Sequence, residues 1–349
     1  MEIVTGLIFV ILAGLGTGTA AWPFKKINDI HFEQYLFIYI LTGLVIIPWV
    51  VVLLDVPNLL LVIKDVGLKP LLISNLLSVI WGIANVLYLI CVIKIGAALT
   101  GAILSALGMS VGVTLPMIFK GSGLFKNTPD LLSPTGVIIL IALFIIIIGL
   151  ILISVAGFER EKILKINSDK NIIVKTSEKF LTGLILAIIA GIFSAGLSLA
   201  FVYSQGAIME SVKLQGASET TANFTVWALG ILGGALVNII YAAYLMTRKK
   251  TWQLLFIRKE ELIYGPLVGL QFIISIIILG KGMLLLGALG ASIGFGIQQS
   301  LQVIGNQLVG FIGGEWKGIN GKPRKLMYLG LMVILIAVCV FAYSNTTIN

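Results

Sequence analysis

GLIFVILAGLGTGTAAWPF runs from Gly6 to Phe24, and GLILAIIAGIFSAGLSLAF runs from Gly183 to Phe201. At a constant offset of 177, Gly6, Leu7, Ile8, Ala13, Gly14 and Phe24 recur as Gly183, Leu184, Ile185, Ala190, Gly191 and Phe201. Thr17 and Gly18 meet the small residues Ser194 and Ala195. Each stretch is apolar and about 20 residues long, the length a helix needs to cross the hydrocarbon core of a bilayer. Chance recurrence of Gly, Ala, Leu and Ile is the competing explanation, but the match reaches the ends of both helices. The chain reads as two copies of one membrane unit.

Working outward, apolar stretches of spanning length fall near 3–22, 35–54, 71–93, 96–119, 135–156, 181–205, 222–246, 263–280, 286–312 and 326–344. The expected fold is an all-α membrane protein of ten transmembrane helices. Residues 1–156 form the first five-helix repeat, 157–180 a linker loop, and 181–349 the second repeat. An odd number of spans per half brings the second copy in from the opposite side of the membrane. Such an inverted repeat lets two halves rock about a site at the midplane. The bulk composition agrees: 58% of the residues are hydrophobic and only 11% are charged, against about 25% charged in a soluble chain.

The net charge of +9 does not point to nucleic acid, because the basic residues sit between apolar runs. The loops after spans one, three, five, seven and nine carry 18 of the 24 Lys and Arg residues. Cytoplasmic loops collect this excess. Those loops are therefore inside, and both termini face out. The expected location is the bacterial inner membrane. The first residues lack a basic segment, so 3–22 reads as a retained span rather than a cleaved signal. Cys91 and Cys339 lie in apolar runs and form no CxxC pair. Gly14-Leu15-Gly16-Thr17-Gly18 has no strand before it, and Gly318 to Lys322 is followed by Pro323. Neither is a nucleotide loop, no cofactor is implied, and no catalytic constellation is present.

Polar side chains inside hydrocarbon usually face the bundle interior or a wet cavity. In the third span Ser74, Ser78, Trp81, Asn85 and Tyr88 are spaced 4, 3, 4 and 3, which puts them on one helical face. Aromatic rings suit the C–H face of a sugar, and amides and hydroxyls suit its hydroxyl groups. The same stripe also suits a helix–helix seam with its polar atoms paired internally. The ninth span carries Gln298, Gln299, Gln302, Asn306 and Gln307; Gln271 and Ser275 add a smaller patch on the eighth. The glycine pairs 14/18, 108/112, 230/234 and 290/294 are each four apart, as close-packed membrane helices require. Asp55, Lys94, Lys281 and Glu315 fall at span ends, where snorkelling accounts for them. His31 lies in a loop, and no Asp, Glu or His sits mid-span. These features favour a neutral, hydroxyl-rich solute.

The chain resembles the L-rhamnose–proton symporter family, a branch of the drug/metabolite transporter superfamily. The matching residues are Pro23-Phe24-Lys25-Lys26, Pro48-Trp49, Trp81-Gly82-Ile83 with Asn85 and Tyr88, Gly191 to Gly196, Leu270-Gln271-Phe272 and Glu315-Trp316. The resemblance implies uptake of a deoxyhexose together with protons. On this reading Trp81 and Tyr88 stack on the sugar, and Asn85, Gln271, Gln299, Gln302 and Asn306 bond its hydroxyls. The family pattern places an acidic residue early in the ninth helix and a histidine further on; the matching positions here are Ala291 and Gln299. The expected partners are a small sugar, protons and the lipid bilayer. The rival readings are an exporter of another metabolite or drug, an uncoupled sugar facilitator, and a non-transporting membrane sensor.

Overall fold

The computed structural model describes residues 2–25, 31–95, 97–119, 129–167, 178–257, 259–286 and 293–344. Helix dominates, and no strand occurs among these residues. In chain order the main helices are α1 (Glu2–Gly18), α2 (Phe32–Asp55), α3 (Leu59–Val66), α4 (Leu68–Ile95), α5 (Ala97–Ile118), α6 (Pro134–Asn167), α7 (Glu178–Ser194), α8 (Gly196–Leu214), α9 (Glu219–Gly230), α10 (Leu232–Lys249), α11 (Tyr264–Leu285), α12 (Phe295–Ile312) and α13 (Lys322–Ser344). Six helical stretches are long and apolar enough to cross a membrane: Phe32–Asp55, Leu68–Tyr88, Pro134–Arg160, Leu181–Leu214, Tyr264–Leu285 and Lys322–Ser344. The bent pair α9 and α10 makes a seventh. Helix α1 is apolar but shorter, and α12 is interrupted by amides.

Several boundaries differ from the sequence reading for local reasons. Helix α6 runs 34 residues to Asn167, into the segment read as a loop, because Phe158 to Asn167 holds no Pro or Gly to stop it. Residues 168–177 lie outside the described residues. Helix α2 begins before the apolar run, so Glu33 and Gln34 are buried in its first turn. Glu33 is held there by Lys249 Nζ at 3.1 Å, and Gln34 Nε2 donates to Thr251 O at 3.0 Å. Within α2 the residues Leu41–Ile46 form a π-helical turn just before Pro48. The proline ring crowds the carbonyl four residues back, and a wider turn absorbs that clash.

The break between α7 and α8 is slight: Ala195 N–H bonds Ile192 O, three residues back, at 3.3 Å. The break at Ile231 bends the chain by 55° and frees backbone groups that hydrocarbon cannot satisfy. Helix α4 supplies the partners. Asn75 Nδ2 donates to Leu229 O at 2.7 Å, and Gly233 N–H donates to Asn75 Oδ1 at 2.8 Å. Gly234 N–H donates to Ser78 Oγ at 2.9 Å. Ser78 of the α4 stripe, with Asn75 beside it, is therefore a clamp on a broken helix.

Small residues set the helix spacing. A Cβ on Gly14 would lie 2.6 Å from Gln298 O, and one on Gly18 would collide with the Gln302 backbone. Gly112 faces Ser198 and Phe295, and Gly234 faces Ser78 and Trp81. Gly290 lies outside the described residues. Helix α1 thus lies close along the amide-bearing α12 and fixes how far its side chains project.

Candidate functional site

A central chamber of about 270 Å³ lies among α1, α2, α4, α5, α7, α8, α9, α11 and α12. That volume sits at the lower edge of small-molecule sites. Its aromatic wall is Tyr39, Trp81, Phe201, Trp227, Phe272 and Phe295. Phe201 and Trp227 stack at 5.2 Å, and Tyr39 meets Phe272 edge-on at 5.5 Å. Trp81 is buried where Gly196 and Gly234 leave room for it. Trp227 Nε1 is buried with no hydrogen-bond partner among the described residues.

The polar wall comes chiefly from α12 and α4. Gln298 Nε2 donates to Thr17 Oγ1 at 2.9 Å and to Gln302 Oε1 at 3.0 Å. Thr17 Oγ1 in turn donates to Ala13 O at 3.0 Å. This chain of bonds fixes the Gln302 amide and leaves its NH2 group without a partner among the described residues. Asn85 and Gln299 also line the chamber, and neither has a hydrogen-bond partner among the described residues. No Asp, Glu, Lys, Arg or His is among its lining residues.

A second chamber of about 290 Å³, on the side that the loop charges predict to be inner, shares Ser105 with the first. Tyr88, Ser154, Asn306 and Gln307 line it, together with Arg160, Glu315 and Trp316. Arg160 NH1 lies 2.9 Å from Glu315 Oε2, so Glu315 is engaged in an ion pair rather than extended along a span end. Asp55 is likewise engaged, accepting from Thr221 Oγ1 at 3.2 Å.

The residues expected to bind substrate therefore divide. Trp81, Asn85, Gln299 and Gln302 meet in the central chamber, whereas Tyr88 and Asn306 meet in the inner one. Gln271 lines neither. Its Nε2 donates to Gly16 O at 2.8 Å and to Thr19 Oγ1 at 3.0 Å, and its Oε1 accepts from Trp22 Nε1 at 3.0 Å. It ties α11 to the turn after α1. Ala291 lies outside the described residues. Sequence reasoning left out Tyr39, Phe201, Trp227 and Phe295. Phe201 was visible as a repeat position; the others carry no signal that separates them from ordinary core aromatics.

An apolar helical bundle enclosing a neutral, amide-lined chamber defines a membrane carrier of small polar solutes. Comparison with known proteins gives the particular family. The family model of the L-rhamnose-proton symport protein (RhaT) matches residues 1–346, and the chain belongs to that family of transporters. It is similar to the L-rhamnose-proton symporters of Yersinia pestis (strain Pestoides F) and Yersinia pseudotuberculosis serotype O:1b (strain IP 31758). Each is 24% identical over 347 residues, covering 96% of both chains.

Proposed function

We propose that this protein carries L-rhamnose or a closely related deoxy sugar across the bacterial inner membrane, by proton symport with alternating access. The observation that carries the reading is the central chamber: aromatic faces on one side, uncommitted amides on the other, and no charge. A neutral sugar offers apolar C–H faces and hydroxyls, which match those two walls. An anionic or cationic solute would leave its charge without a counter-ion in a low-dielectric site, a cost of several kcal/mol. Trp81 supplies an aromatic face beside the sugar, and Asn85, Gln299 and Gln302 bond its hydroxyls. Tyr88 and Asn306 contact it on the way through the inner chamber. Gln271 acts by holding α1 and α11 together.

The reading includes ten spans in a five-plus-five inverted repeat, with both termini outside. Helix packing supports it. With the spans numbered by the ten apolar stretches, exchanging the halves turns each span into its counterpart five further on. Span one packs on eight and nine (α1 on α11 and α12), and span six packs on three and four (α7 on α4 and α5). Spans two and seven pack together (α2 on α10), as do five and ten (α6 on α13). Thr17 and its repeat counterpart Ser194 both line the central chamber. Two related halves around one central site are what a rocking carrier requires.

One observation favours a second reading. Among the described residues the central chamber has no Asp, Glu, Lys, Arg or His, and Gln299 stands where the family pattern has a histidine, so the protein would be an uncoupled facilitator. Uptake of labelled L-rhamnose into proteoliposomes separates the two. Accumulation above equilibrium under an inward proton gradient is expected. Equilibration that ignores the gradient would establish the facilitator, and no uptake would remove the sugar.

A further inference from the structure

The inner chamber contains what the central one lacks. Among the described residues Glu315 is the one carboxylate that lines either chamber. Its Oε2 meets Arg160 NH1 at 2.9 Å, and the pair links the C-terminal extension of α6, the last helix of the first half, to the turn after α12, in the second. Arg160 is also held by Trp316, whose ring centroid lies 5.3 Å from the guanidinium carbon. Trp316 is itself buried and stacked on Phe311 at 5.4 Å. The arginine side is thus anchored. The carboxylate side is carried on a turn between Gly314 and Gly318, both in the left-handed region with φ of 79° and 78°. Glu315 is 38% exposed, so water can deliver or remove a proton.

We propose that Glu315 carries the coupled proton, with Arg160 as the partner it releases on protonation. The inference rests on the proton-symport reading above. With Glu315 ionised, the charge-assisted bond to Arg160 closes the inner mouth between the two halves. A proton arriving from the outer side through the two chambers binds a Glu315 oxygen. It cancels the carboxylate's charge, and with it the Coulombic attraction to Arg160. The mouth opens, sugar leaves, the proton passes from Glu315 to cytoplasmic water, and the pair re-forms. Among the described residues the other titratable group that lines this chamber is Tyr88 on α4; nearby in the chain are Glu159 beside Arg160, Lys317 on the same turn as Glu315, and Arg324 in the first turn of α13. Arg324 is engaged with Tyr328, its Nε donating to the hydroxyl at 2.9 Å. Glu33, whose ion pair with Lys249 also joins the two halves, lines neither chamber.

The test compares wild type with Glu315→Gln in proteoliposomes, reading gradient-driven accumulation of labelled L-rhamnose and, separately, counterflow exchange with no gradient. An inward gradient of about one pH unit supports at most about tenfold accumulation at one proton per sugar. Glu315→Gln is expected to lose that accumulation entirely while still exchanging sugar. Accumulation equal to wild type would overturn the proposal. If Glu315→Gln loses exchange as well, Glu315→Asp decides. Restored accumulation in the aspartate variant supports the proposal, and restored exchange without accumulation, or no recovery, overturns it. A wild-type protein that ignores the gradient would instead fail the symport reading, and this inference with it.

Discussion

The central and inner chambers are nearly equal in volume, about 270 and 290 Å³, and they share Ser105, yet their linings differ in kind. The central chamber is neutral, with amides held or left open by a hydrogen-bond chain from Thr17. The inner chamber ends in an ion pair between two halves of the chain. On the reading proposed above, the difference separates selection from control along one path. A neutral solute is best recognised where no charge competes for its hydroxyls. A switch needs a charge that can be turned off, placed where water reaches it.

The largest effect should come from breaking the seam behind the central chamber. Gly18→Val would drive a side chain into the Gln302 backbone, and over-packing of this kind costs about 3 kcal/mol. Thermal unfolding of purified protein in detergent should show the loss together with loss of sugar binding. Binding retained at wild-type affinity would mean that the chamber does not depend on the seam. Next comes the chamber's own polar wall. In an Asn85→Ala, Gln302→Ala double variant two sugar hydrogen bonds disappear, each worth about 1.5 kcal/mol. Binding should weaken about 100-fold in protein that still reaches the membrane, as titration of purified protein would read. Unchanged affinity would remove the site.

A smaller effect contrasts the two parts of α4. Asn75→Ala strips the partners from Leu229 O and Gly233 N–H, so stability should fall by about 2 kcal/mol with sugar affinity nearly unchanged. A matching fall in affinity would mean that the bend at Ile231 shapes the chamber directly. The smallest effect is expected at Asn306, in the inner chamber. Asn306→Ala should change the dissociation constant by less than about threefold, since one exposed hydrogen bond is worth well under 1 kcal/mol net. A change as large as that of Asn85→Ala would merge the two chambers into one site.

The α4 stripe shows how far the sequence could be read. Its spacing placed Ser74, Ser78, Trp81, Asn85 and Tyr88 on one face, and two uses for such a face were open. The structure divides the face between a helix seam and two chambers. Ser78, with Asn75 beside it, seals a broken helix, while Trp81 and Asn85 open onto one chamber and Tyr88 onto the other. Gln271 shows the opposite limit. An amide in an apolar span announces a polar partner but not which one, and here the partners are Gly16 O, Thr19 and Trp22. The glycine pairs were more informative, because a missing side chain in a membrane helix has few uses other than close approach.

What the sequence determined by itself is what depends on local composition and period. The apolar runs set helix and membrane class, the small residues set where helices touch, and the repeated stretch at Gly6 and Gly183 gave the expectation of two halves. The family followed from residues kept in order along nearly the whole chain. What only the tertiary structure decided is which polar groups are already satisfied. Asn85 and Gln271 are both amides in apolar helices; one opens onto a chamber and the other is spent on three bonds. Glu315 and Arg160 are separated by 155 positions, and no local pattern pairs them. Hydrogen bonds and ion pairs saturate at contact distance, so their function is settled by the neighbours that folding brings within about 3 Å.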